Sequence, residues 1–183
     1  MPYDIAINKA WERIAGLEGR EKWRIKLLND TYDINLKDKT VISCSCPVPA
    51  KDYVVILLLH YLIGTLKKSY TPCGQWVSFK EVPGGEVYYP AFHKSVLGIL
   101  LIKYGQTPEN LLKCAQRFNA KSIPLADAAI ELVVFDDVSI RVLLWKQDSE
   151  FSPEANILFD KNLTDVYAME DIVVFLHFVA SSL

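Results

Sequence analysis

Glycine-rich loops are missing from this 183-residue chain. It holds 8 Gly, and Gly84-Gly85 is the one adjacent pair. No glycine-rich stretch leads into a Lys-Ser or Lys-Thr, which excludes the loops that cradle nucleotide phosphates. No serine sits in a Gly-x-Ser-x-Gly elbow, so that hydrolase signature is absent too. Cysteine is scarce, and 4 Cys make no disulfide scaffold. An excess of one charge is also lacking. Twenty Lys+Arg stand against 22 Asp+Glu, a net charge of −2. That balance excludes nucleic-acid binding driven by phosphate contacts alone. Long apolar runs are missing as well. The longest uncharged stretch, Tyr53 to Leu66, spans about 21 Å as a helix at ~1.5 Å per residue. A hydrocarbon core needs about 30 Å, so the stretch reads as a buried helix and no membrane span is expected. Met1-Pro2-Tyr3-Asp4 opens no basic-then-apolar signal. The expected setting is therefore the reducing cytoplasm, with the cysteines as thiols.

What is present is a core. Hydrophobic residues make up 51% of the chain, too many for a disordered segment. The length suits one domain. Ile5, Ile7, Ala10, Trp11, Ile14 and Ala15 recur at helical spacing, with Pro2 suited to the first turn and Gly16 and Gly19 at the stop. Trp23-Arg24-Ile25-Lys26-Leu27 and Tyr32 to Leu36 alternate as strands. With Thr40 to Ser43 they predict a three-stranded meander. The apolar helix Tyr53–Leu66 follows. Trp76 to Phe79 reads as a short strand, and Val82 to Glu86 as a tight turn. Pro90 is expected in the first turn of a helix reaching Lys103, and Thr107 as the cap of one reaching Phe118. Ile130 to Phe135 and Val138 to Trp145 predict a hairpin around Asp136-Asp137. A strand at Ile157 to Phe159 and a last helix from Met169 to Ser181 complete the chain. Strands and helices come in groups. The expected fold is therefore α+β, a single domain with an antiparallel sheet packed with four to five helices.

Four features carry candidate chemistry. Cys44 and Cys46 share a face if their segment is extended, which makes them candidate metal ligands. The alternative is a pair of ordinary thiols. His60 lies in the most apolar helix, as a satisfied packing residue or as a base. Asp148 and Glu150, with Asp160 ten residues after Glu150, form an acidic set that can hold a hard cation, divide acid and base roles, or close turns. Trp76, Phe79, Tyr88, Tyr89 and Phe92 cluster around Pro83-Gly84-Gly85. Aromatics beside glycine wall a ligand groove or build core.

Three blocks resemble the family called domain of unknown function 3786, found in anaerobic bacteria and methanogenic archaea. They are Ile56 to Leu62, Trp76 to Gly85 continued by Tyr88 to Phe92, and Leu144 to Phe151 continued by Ala155 to Asp160 and Glu170-Asp171. The third block departs from the family's Gly-Asp-Glu-Glu-Phe, reading Gln147-Asp148-Ser149-Glu150-Phe151. The resemblance brings no assigned activity and no named cofactor. Its motif positions fall on Trp76, Gly84, Gly85, Tyr88, Tyr89, Trp145, Asp148, Glu150, Phe159 and Asp160. Fusion of some members to iron–sulfur domains implies an iron–sulfur or corrinoid partner protein. The leading expectation is an accessory protein that binds a small molecule, cofactor or partner. Its ligand-binding candidates are Trp76, Gly84, Gly85, Tyr88, Tyr89 and Trp145. The alternative is a carboxylate-based or cation-dependent hydrolase or lyase using Asp148, Glu150, Asp160 and His60. Two helices apolar on more than one face, Tyr53–Leu66 and Ile172–Val179, imply either central core or an interface, so association with a second copy also fits.

Overall fold

Alternating apolar and charged side chains from Trp23 onward leave the backbone one dry face and one wet one, and it forms a strand. The computed structural model describes residues 3–17 and 20–183. Pro2 and Gly19, invoked above for the first helix, lie outside them. That helix, α1 (Asp4–Ala15), buries Ala10, Trp11 and Ile14. Strands β1 (Lys22–Leu27), β2 (Asp30–Asn35) and β3 (Thr40–Ser43) form the antiparallel meander, with Trp23 opposite Ile34 and Ile34 opposite Val41 on the core side. On the wet side the Arg24 guanidinium donates to both carboxylate oxygens of Asp33, at 2.7 and 2.9 Å.

Helix α2 (Asp52–Lys67) is buried on nearly every face, as its composition demands. Strand β4 (Trp76–Ser78) is short. Phe79 turns inward into a 3-10 turn, where the Ser78 N–H and hydroxyl both donate to Glu81. Helix α3 (Gly85–Phe92) then starts five residues before the expected Pro90. The cause is the glycine pair. Gly84 takes φ +82° as the residue before the helix, and a Cβ on Gly85 would stand 2.0 Å from the Phe79 carbonyl oxygen. Val87, Tyr88 and Tyr89 are therefore helical. Pro90 sits in the helix interior, where it offers no N–H to the carbonyl four residues back. A π turn (His93–Leu97) joins α3 to α4 (Gly98–Tyr104). Helix α5 (Glu109–Ala115) follows Pro108. The Thr107 carbonyl, not its side chain, accepts from Asn110.

Strands β5 (Lys121–Ser122), β6 (Ala128–Phe135), β7 (Val138–Trp145) and β8 (Glu154–Asp160) join β4 in an antiparallel sheet of order β4-β8-β7-β6-β5. Strand β8 begins three residues earlier than its apolar stretch, because pairing with β7 carries it out to Glu154. Helix α6 (Met169–Ser182) closes the fold. The α+β expectation holds, with the strands divided into two antiparallel sheets. Side chains from both sheets and from α1, α2 and α6 share one continuous core. Among the described residues, no helix is long and apolar enough to cross a membrane.

Candidate functional site

His60, Gly64 and Lys67 follow one another at helical spacing on α2, so they share a face. That face meets the turn before α6. Gly64 allows the approach, since a Cβ there would lie 3.0 Å from both methyls of Val166. The third helical residue of α6 is Asp171, where a carboxylate meets the positive end of the helix dipole. Its Oδ2 lies 2.7 Å from His60 Nδ1, with the two side chains 21% and 18% exposed. Among the described residues no hydrogen bond reaches His60 Nε2.

The pair lines a cleft of about 330 Å³, shared with Arg13, Lys67, Ser69 and Asp165. Among the described residues Arg13, Lys67 and Asp165 stand in no ion pair. Their charges are available to a bound molecule. A carboxylate on Nδ1 fixes the imidazole ring and its tautomer, leaving Nε2 to bind or to exchange a proton.

The other candidates are dispersed. Asp148 accepts from the N–H groups of Glu150 and Phe151 at 2.8 and 2.7 Å. Those two bonds hold its carboxyl below the usual range, as expected of a turn-closing aspartate. Glu150 is exposed beside it. Asp160 lies at the far end of β8, about 20 Å along the strand from Glu154 at ~3.4 Å per residue. The loop carrying Asp148 and Glu150 lies beyond Glu154, so the three carboxylates do not converge. Neither do they meet His60, whose partner is Asp171.

Asp160 is 5% exposed. It accepts from the N–H groups of Cys73, Gly74 and Asn162, at 3.2, 2.7 and 3.0 Å, and from the Cys73 thiol. Burial pushes its carboxyl up, but these donors together hold it below its ordinary value. It ties the loop before β4 to the turn after β8.

The aromatic set also divides. Phe79 and Phe92 stack in the core at 4.2 Å. Trp76 lies on the other face of β4, under the Arg141 guanidinium at 3.8 Å from its ring centre. Tyr88 reaches Glu170 at 3.3 Å, and Lys80 lies over the Tyr89 ring. Trp145, half-buried, ends β7 opposite Glu154. Gly84 and Gly85 serve the start of α3.

Cys44 and Cys46 are both exposed. Their segment is a bend, so the extended geometry that would set them on one face is not met. Asp30 accepts from the hydroxyls of Ser43 and Ser45, and Ser43 Oγ accepts from the Cys46 N–H. Desolvation first, then the nearby Asp33 charge, push the Cys44 thiol up, away from thiolate chemistry. Among the described residues, no three His, Cys, Asp or Glu side chains are grouped as around a metal ion.

The sequence profile of the family described as Domain of unknown function (DUF3786) matches residues 9–181. The chain belongs to this family. No curated protein matches it, and no solved structure does. Of the positions singled out by the resemblance, Trp76, Gly84, Gly85 and Asp160 gather around the two ends of β4 and the start of α3. The cleft is built from other residues. Sequence reasoning found His60 but missed Asp171 as its partner, together with Arg13, Lys67 and Asp165. The one available signal was a histidine in the middle of the most apolar helix, which needs a polar neighbour.

Proposed function

We propose that this protein binds a small polar metabolite in the cleft of His60 and Asp171, as an accessory binding protein. The observation that carries the reading is the 2.7 Å pair set in a concavity of about 330 Å³. Binding sites typically occupy about 300–1,000 Å³ and place a few polar groups at a fixed orientation. Arg13 and Lys67 suit an acid group on the ligand, and Asp165 suits a donor beside it. Amide chemical shifts recorded during titration with amino acids and hydroxy acids test this. A binder is expected to move residues 60, 64, 67 and 171 in the wild type and to lose its effect in His60→Ala. A panel that leaves those amides unmoved would sink the reading.

A second reading has its own support. The Asp171 carboxylate orients the ring as in general-base pairs, which favours an enzyme using His60 Nε2 as the base. On this reading the hydrolase or lyase alternative rests on His60, one of its candidates, and not on Asp148, Glu150 and Asp160. Asp171→Asn separates the two readings. A binding protein keeps its affinity within a few-fold, whereas an enzyme keeps binding and loses turnover of the bound compound.

A further inference from the structure

A second concavity, of about 580 Å³, runs along α6 away from the His60 cleft. Its walls are Tyr53 in the first turn of α2, with Val174 and Phe178 one helical turn apart on α6. The Tyr53 and Phe178 rings meet at 6.3 Å and 49°, forming an aromatic corner. Ser95 in the π turn, and His177 and Ser181 on α6, stand at its rim. In a chain that is 23% charged, the described residues lining this groove include no Asp, Glu, Lys or Arg. An ion placed there would lose hydration without meeting an opposite charge, which is costly. Aromatic and aliphatic walls reward an apolar body instead, and hydroxyl and imidazole groups reward one neutral hydrogen-bonding function.

We infer that this groove is a second binding site, for a neutral, mainly apolar molecule carrying a hydroxyl or carbonyl group. The groove is sided by α2, the π turn and α6. That concave shape admits a ring against the corner made by Tyr53 and Phe178, which a flat face of a second copy would not fill.

Titration of the full chain with naphthol, naphthoate and naphthylmethylammonium tests the inference, read by amide shifts of Val174, His177 and Phe178. Naphthol is expected to bind saturably, and the two charged analogues about tenfold more weakly or less tightly still. Ser181→Asp places a carboxylate at the exposed rim and is expected to weaken naphthol about tenfold. Its thermal unfolding should stay as in the wild type, which separates lost binding from lost folding. His60→Ala is expected to leave naphthol binding unchanged, so the groove stands or falls apart from the cleft. Equal affinity for all three probes overturns the inference, as does the absence of saturable shifts. So does sedimentation that shows a dimer, broken by Ser181→Asp, on which naphthol has no effect.

Discussion

Replacing Asp160 tests the structural role the geometry gives it. In Asp160→Ala three N–H groups and a thiol lose a buried, charged acceptor at one stroke. Hydrogen bonds to a charged group contribute about 1.5–3 kcal/mol each, though bonds sharing one acceptor do not add in full. The Asn162 contact is also the cap of the 3-10 turn Lys161–Asp165, and a lost cap costs about 0.5–2 kcal/mol. A total of about 3–5 kcal/mol is expected, a large part of the stability of an ordinary domain. Asp160→Asn keeps one carbonyl oxygen but turns an NH2 group toward one of the donors, and about 2 kcal/mol is expected. Urea unfolding at neutral pH measures both. The pH dependence has a definite sign. The folded-state carboxyl lies below its usual value, so its contribution is complete above the unfolded carboxylate range and fades as pH falls through the folded pKa. The gap between wild type and Asp160→Asn should therefore be constant above about pH 5 and close below about pH 4. If Asp160→Ala unfolds within about 0.5 kcal/mol of the wild type, the reasoning is refuted, because surface-like substitutions fall in that band.

Two further outcomes follow from local geometry. Gly85→Ala should destabilise by more than about 3 kcal/mol, since its Cβ meets the Phe79 carbonyl oxygen, which must move; Gly84→Ala meets open space and should cost about 1 kcal/mol for its positive φ. Calorimetric melting of the two variants that ranked them the other way would refute this account of the turn. Arg141→Ala removes the cation over Trp76 and should cost about 0.5–1 kcal/mol while raising acrylamide quenching of tryptophan emission; unchanged quenching would show that Arg141 does not cover the ring.

Strand and helix faces were legible wherever periodicity was strong. Trp23 to Leu27 could be read because every second residue changes character, and Tyr53 to Leu66 because nothing in it is charged. The hairpin around Asp136-Asp137 was legible from two β-rich runs on either side of a turn signal. The start of α3 was not. Pro90 is a helix-start signal, but the glycine pair upstream outranks it, since close approach to Phe79 is a tertiary demand that local signals do not carry. The site was less legible than the fold. Asp148 and Asp160 stand out as acids in a line of text. In space each is consumed by backbone donors, Asp148 within its own loop and Asp160 chiefly from the distant loop before β4. His60 and Asp171 are separated by 111 positions and meet only because α2 and α6 pack together. No spacing rule joins them.

The ends of the two sheets bear on how this chain keeps company in concentrated solution. The five-stranded sheet is bounded by β4 and β5, three and two residues long. Neither is long enough to template a foreign strand. In the meander, β1 presents Lys22, Arg24 and Lys26, a charged border that resists edge-to-edge growth. The margin of β3 is taken by its own return segment, where Ser43 and Ala50 bond with Val48 and Val41 and two prolines interrupt the run. Short strands, charge and proline thus disfavour backbone addition at each border. The same borders leave side chains as the favoured means of contact with other molecules.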